Sequence, residues 1–410
     1  MLRSMFSAIS GLKTHQTKLD VVGNNIANVN TVGYKSSQTV FQDTLSQVLS
    51  NGSAPTPGTG GTNPAQVGLG VQLAGITTNW TQGSTQSTGR STDFMISGDG
   101  FFVTQSGNEQ LYTRAGSFDF DGQGRLVTPD GAILQGWMAK DGVVDANGPI
   151  GNLTVPYGAV MPPKASATGG FTGNLSSGTK ATEGIETPIT MYDALGNAHQ
   201  ITAKFTKTAT DNEWTVALTD ENGDAVLTPD ATIAFDPATG EIDDPAAAVL
   251  DVTPNAPMDA SWPGPITLDF SKITQFGADS AVKATPTDGY ATGTLQSFSL
   301  SADGTVVGVY SNSLRQDVGK LALATFANPS GLEKAGSSSF RPGNNSGVVT
   351  ISAAGTGGAG TLAAGAVEMS NVDLSEEFTS LIIAQRGFQA NSRVITASDE
   401  VLQDLVNLKR

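Results

Sequence analysis

The chain has 410 residues, with 38 acidic against 22 basic side chains and a net charge of −16. An acidic excess of that size argues against nucleic acid and anionic membrane surfaces as partners, since both repel it unless a basic patch intervenes, and lysines and arginines cluster here only in pairs. Cysteine is absent, which removes disulfides, thiolate zinc sites and cysteine nucleophiles, and no run approaches the 18 apolar residues of a membrane span.

The first element is an amphipathic helix. Leu2, Met5, Ile9, Leu12, Leu19 and Ile26 follow three-and-four spacing, interrupted at Gln16 and Gly23. Polar residues recur too often for a cleavable secretion signal. His15 falls on the polar side and reads as a surface residue. The helix runs into "VVGNNIANVNTVGYK", which holds Asn24, Asn25, Asn28 and Asn30 within seven residues. Gly23 weakens the helix and asparagine amides compete for backbone hydrogen bonds, so the chain is expected to leave the helix near Asn28 to Asn30, with Gly33 supplying a sharper turn. The same amides could equally cap a simple helix end or bond to a neighbouring subunit.

Residues 31–70 read as a connector, its second half rich in Gly, Pro and Thr. From Val71, strands of four to six residues alternate with Gly-Asp-Gly, Asp-Gly-Gln-Gly and Pro-Asp-Gly turns, a β domain in hairpin style. A second β-rich region spans residues 165–287, with turns at Asp193 to Asn197, Asp220 to Gly223 and Asp236 to Gly240. Residues 288–346 resume the first style, and glycine-rich residues 347–366 form a second connector. The last helix carries one apolar row, Leu381, Phe388, Ile395 and Leu402, and a row polar in its middle at Gln385, Ser392 and Asp399, beginning with Phe378. A pair of helices in isolation rarely places three polar layers in succession, so several neighbours are expected around it. Residues 1–35 carry net +3 and residues 366–410 net −3, which favours pairing of the two ends.

The expected fold is therefore α+β. N- and C-terminal coiled-coil-like helices (1–30 and 367–410) join two nested, mainly antiparallel β domains, an inner one (71–164 and 288–346) and an inserted outer one (165–287). Nothing reads as catalytic, and no cofactor or metal is expected. Asp119 and Asp121 resemble the opening of a calcium loop but read better as a hairpin turn, and His199 has no nucleophile motif beside it. The terminal helices make one narrow seam. Ordering roughly 30 residues costs about 1–2 kcal/mol each, against about 1.5–3 kcal/mol for each of some eight buried side chains, so the ends are expected to order fully only when copies stack.

"SMFSAISGLKTHQTKLDVVGNNIANVNTVGYK" and "EMSNVDLSEEFTSLIIAQRGFQANSRVITASDEVLQDLVNLKR" resemble the N- and C-terminal signatures of the flagellar rod and hook family, and "STDFMISGDGFFV" and "YTRAGSFDFDGQGRLVTPDG" its shared β domain. The insertion, with "TPITMYDALGNAHQITAKFTK", resembles the outer domain of the family's hook members. The resemblance implies a helical homopolymer, a flexible tube that transmits torque and encloses an export channel. Implied partners are further copies, the distal rod protein, the hook–filament junction protein, the hook cap and the flagellar type III export apparatus; nucleic acid is not among them. The implied location is extracellular, in the flagellum. Carried over by residue, Leu2, Met5, Phe6, Ile9, Leu12, Leu19 and Ile26 belong to the inner helix. Asn24, Asn25, Asn28, Asn30, Thr31, Gly33 and Tyr34 belong to the helix exit, and Gln385, Arg386, Gln389, Asn391 and Ile395 to the C-terminal motif, with Phe388 where tyrosine is frequent. A distal rod subunit is the nearer rival. A β-rich adhesin is the other, with Trp80 and Trp262 as its exposed aromatics.

Overall fold

Leu2–Ala27 forms α1 and Leu374–Asn407 forms α2. α1 passes through Gly23 unbroken, although a glycine there costs about 1 kcal/mol relative to alanine. α2 has a built start: the Asp373 carboxylate accepts the backbone N–H of Ser375 at 2.7 Å and of Glu376 at 3.3 Å, and Glu376 and Glu377 complement the dipole of its first turn. The computed structural model describes residues 2–140, 142–156, 158, 160–226, 230–244, 248–252, 262 and 264–407.

The chain divides into two units. The first takes residues 1–155, 298–307 and 316–410 and holds both helices. After α1, Ser37–Asp43 (β1) pairs antiparallel with Val71–Thr78 (β4). The segment between them is not an irregular connector. Ser46–Ser50 (β2) pairs with Ala65–Gly68 (β3), and the bridges Ser53–Thr62 and Thr56–Thr59 carry the ribbon to a turn at Pro57 and Gly58. Hydroxyls meet across it, Ser53 with Thr62 at 2.9 Å and Thr56 with Thr59 at 2.7 Å, so a composition that reads as linker builds a hairpin instead. Residues 347–366 depart from a connector in the same way. Thr350–Ala353 joins Arg315–Thr325, Thr361–Ala364 pairs with Phe94–Ser97, and Ala366–Glu368 pairs with Thr85–Ser87.

The main sheet of this unit places Phe101–Ser106 against Glu109–Thr113, which pairs with Ser339–Arg341 and through it with Glu333–Gly336. On its other side lie Ile133–Lys140 and Arg315–Thr325. Phe101, Val103, Tyr112, Trp137 and Phe340 form the core. Trp80 belongs to it, with its ring edge-on to Phe101 at 5.3 Å and to Phe340 at 5.0 Å.

The second unit (residues 156–297 and 308–315) packs two four-stranded sheets around Phe171, Phe205, Trp214 and Phe270. Gly184–Tyr192, Ala198–Lys207, Glu213–Thr219 and Ala231–Ala234 run antiparallel. In the other sheet Thr168–Ser176 lies parallel to Ile266–Phe276. The three expected turns are present: Asp193 and Asp220 each accept the backbone N–H groups two and four residues on, Asp236 accepts the N–H of Ala238, and Gly196, Gly223 and Gly240 take positive φ. Trp262 is buried, its indole N–H donating to the Ser166 carbonyl at 3.0 Å, so neither Trp80 nor Trp262 is the exposed aromatic an adhesin would need.

Candidate functional site

The asparagines at the end of α1 close the helix and tie it down. Asn28 donates its amide to the Asn24 carbonyl at 2.9 Å and accepts from Thr31 at 3.0 Å, which turns the chain back within one helical turn. Asn25 is the centre. Its buried amide donates to the Ser37 carbonyl at 2.8 Å and to Glu377 Oε1 at 2.7 Å. Its carbonyl oxygen accepts the Ser37 N–H at 3.0 Å and the Tyr34 hydroxyl at 3.1 Å, and that hydroxyl accepts from Asn24. One amide thus bonds α1, β1 and α2. Asn30 is exposed. Gly33 takes φ +68, where a side chain would overlap the backbone of Arg114 and Ala115, and its N–H donates to the Glu368 carbonyl at 2.8 Å.

Behind this turn is a charge cluster with almost no exposure. Lys35 Nζ lies 2.6 Å from Glu368 Oε1, both side chains fully buried, and donates to the Thr81 carbonyl at 2.8 Å. The same Glu368 oxygen accepts the Gly83 N–H at 2.8 Å, and the other faces Arg114 Nη1 at 3.4 Å. Burial pushes the Lys35 ammonium down from its ordinary value while Glu368 holds it up. Asn371 completes the tie, accepting the Ser36 N–H at 2.8 Å and donating to the carbonyls of Asn79 and Thr81. Residues just after α1 are thereby fastened to residues just before α2.

The helices pair antiparallel, Gly11 against Asn391, His15 against Gly387 and Asn25 against Glu377. A Cβ on Gly11 would stand 2.8 Å from the Asn391 amide, and one on Gly387 2.5 Å from the His15 ring, so each glycine is a notch for the other helix's side chain. The buried line of α2 is Ala384 and Ser398, with Leu381, Asn391, Ile395 and Leu402 half-buried beside it. The polar row lies one residue further on: Gln385, Ser392 and Asp399 are exposed, as are Arg386 and Gln389, with the Arg386 guanidinium donating to the Gln389 side-chain oxygen at 3.5 Å. In α1 the buried positions are Ala8, Gly11, Thr14, Val22 and Asn25, while Met5, Leu12, Leu19 and Ile26 are half-buried and Phe6 and Ile9 exposed. The side chain of Leu2 lies outside the described residues. His15 is not the expected surface residue. Its ring sits in the seam edge-on to Phe41, Nδ1 is buried without a partner, and burial, then Lys18, lowers its affinity for a proton.

Close approach of small side chains leaves the large ones outside. Phe6 is 63% exposed; Phe378, Ile382, Ile383 and Val401 are each about half exposed on the flanks of the α2 seam, with Phe388 less so. Asp119 and Asp121 serve a turn, paired with Arg90 and Arg125 at 2.6 Å each. Among the described residues no cluster of three metal-ligating groups occurs, and no helix is long and apolar enough to cross a membrane. The buried cluster escaped sequence reasoning, whose only hint was Lys35 and a lone acid, Glu368, between Val367 and Met369.

Four family models match in chain order. They are described as flagella basal body rod protein (residues 5–35), flagellar hook protein FlgE/F/G D1 domain (95–169), flagellar basal body protein FlaE D2 domain (162–290) and flagellar basal body rod FlgEFG protein C-terminal (363–408). Fold and site together define a structural subunit of the flagellar rod and hook class. The chain is 39% identical to the flagellar hook protein FlgE of Borreliella burgdorferi over the whole of both chains. It is 35% identical to the flagellar basal-body rod protein FlgG of Bacillus subtilis, also over the whole of both, so length alone does not separate hook from rod. In fold it is similar to Helicobacter pylori flagellar hook protein FlgE2, with a TM-score of 0.52 and 13% identity over 68% of this chain and 98% of that one. The chain belongs to the flagellar hook protein family, and its role is that of a structural subunit of the hook.

Proposed function

We propose that the chain polymerises through its terminal helices into a flexible helical tube that transmits torque from rod to filament and encloses an export channel. The carrying observation is the pairing itself. The helices meet at Gly11 and Gly387, bury small Ala8, Ala384 and Ser398, and leave Phe6, Ile9, Phe378, Ile382 and Ile383 in solvent, an apolar surface that monomers avoid and neighbouring copies would cover. In this reading residues 1–30 and 367–410 form the inner tube and act as concentric coiled-coil-like layers. Residues 71–164 and 288–346 form an inner β domain, with the inserted residues 165–287 outside it, and weak polar contacts between outer domains slide as the tube bends. Gln385, Arg386 and Gln389 face neighbours or the channel. The role is mechanical, without catalysis. The distal rod protein, the hook cap, the hook–filament junction protein and the type III export apparatus are the further partners.

The test is full-length chain carrying Phe378→Ser and Ile382→Ser. Both side chains are exposed in one copy, so the variant folds as the parent does by circular dichroism, while electron microscopy shows tubes from the parent alone. Tubes of unchanged abundance from the variant would overturn the reading. Curved parental tubes are expected, and straight ones would move the chain to the rod.

A further inference from the structure

Two openings on the first unit meet at Lys334, one of about 280 Å³ beside Tyr34 and one of about 470 Å³ beside Ile76 and Leu332, with Asn24 and Lys334 lining both. The smaller opening has chiefly apolar walls, the larger mixes Thr17, Asp20 and Ser330 with Val21, Ile76 and Leu332, and Ile76 is half exposed. Lys334 is the cation at their junction. Its ammonium donates to Ser37 Oγ at 3.0 Å and lies 5.3 Å from the centre of the Tyr34 ring. Burial pushes its proton affinity down, and among the described residues no carboxylate forms an ion pair with it; Asp20 lines the larger opening without reaching it. In a chain with 38 acids and 22 bases, this lysine is exposed along its length, yet its ammonium is held between Ser37 and the Tyr34 ring with no acid beside it among the described residues. It stands beside the helix exit, where Asn24, Asn25 and Tyr34 are already bonded to one another.

We propose that this groove receives an aspartate or glutamate, flanked by apolar side chains, from a second copy of the chain, with Lys334 as its counter-ion and Tyr34 and Leu332 as its walls. Charge complementarity identifies the occupant: every copy presents a surplus of carboxylates, and the groove offers an ammonium already oriented by Ser37 and Tyr34, to which a carboxylate adds a charge-assisted bond. The contact would link the β part of one subunit to its neighbour through the exit of α1, so bending strain on the outer surface would reach the helix pair directly. The inference rests on polymerisation as proposed above.

The test treats assembled tubes, made from equal parts of ¹⁴N- and ¹⁵N-labelled full-length chain, with a carbodiimide that joins an amine to a carboxylate in contact. A mixed-isotope peptide joining Lys334 to an acidic residue is expected from tubes and not from unassembled chain. Lys334→Met, which keeps the apolar stem, is expected to raise the threshold concentration for assembly at least tenfold with the fold intact. Tubes in which Lys334 remains unjoined, or a threshold unchanged in Lys334→Met, would overturn the groove's assignment and leave polymerisation standing. No tubes from the parent chain would overturn both.

Discussion

Replacing Glu368 by glutamine keeps the volume of the side chain and removes one charge from a place water does not reach. Lys35 and Glu368 have no exposed side-chain surface, and Arg114 has 5%. Leaving a buried cation without its partner costs about 3–5 kcal/mol. A ceiling follows from the lysine's escape, since shedding its proton at pH 7 costs about 4–5 kcal/mol from an ordinary pKa; Arg114 has no such escape. A chain of two units has no single melting free energy to compare, so the assay is native-state hydrogen exchange at the two amides that Glu368 holds, Gly33 and Gly83. Both are expected to exchange about a hundredfold faster or more. At pH 9 the penalty shrinks, because the ceiling falls by about 2.7 kcal/mol. Adding Lys35→Met should cost much less than it does alone, as the charge it removes is the one already stranded. Exchange within about fivefold of the parent, or strictly additive variants, would show that the cluster is not the clasp described.

Gly33→Ala is expected to open the same turn, because φ +68 costs a residue with a side chain about 1–2 kcal/mol before any overlap with Arg114 and Ala115 is counted; limited proteolysis between residues 28 and 36 would detect it, and unchanged resistance would refute it. His15 predicts a pH dependence. Its folded pKa lies below 6.5, so the unfolded chain binds the proton first and the helix pair loses stability as pH falls through 6.5. Glu377, raised above 4.5 chiefly by burial, acts with the opposite sign, contributing most in acid and losing that contribution as pH rises through its raised value. Exchange in α2 near Gly387, corrected for intrinsic rates between pH 7 and 5, should therefore lose its acid sensitivity in His15→Gln; equal slopes in parent and variant would count against the buried imidazole.

The helices, their charges and the exit at Asn28 were legible because each is written within a few neighbouring residues: three-and-four spacing, and asparagines that bond their own backbone. The strands were legible from their turns. The face each helix turns to the other was not. Periodicity ranks rows by apolarity, yet the helices approach closely at Gly11 and Gly387, and the buried line falls one residue before the apolar row in α1 (Ala8, Gly11, Asn25) and one residue before the polar row in α2 (Ala384, Ser398). The hairpin at residues 46–68 was hidden by a composition that linkers share; what builds it is threonine and serine facing across a Pro-Gly turn. The buried cluster was beyond local reading altogether, since Lys35 and Glu368 are 333 residues apart and only folding brings them together.

That separation makes the molecule a check on its own completeness. Until the chain has been produced as far as residue 368, the lysine that follows its first helix has no counter-charge, and the loop to be closed is most of the protein. A chain cut short between residues 315 and 368 keeps all of its second unit yet has no counter-charge with which to seat its beginning, so only copies that reach past residue 368 hold both ends together.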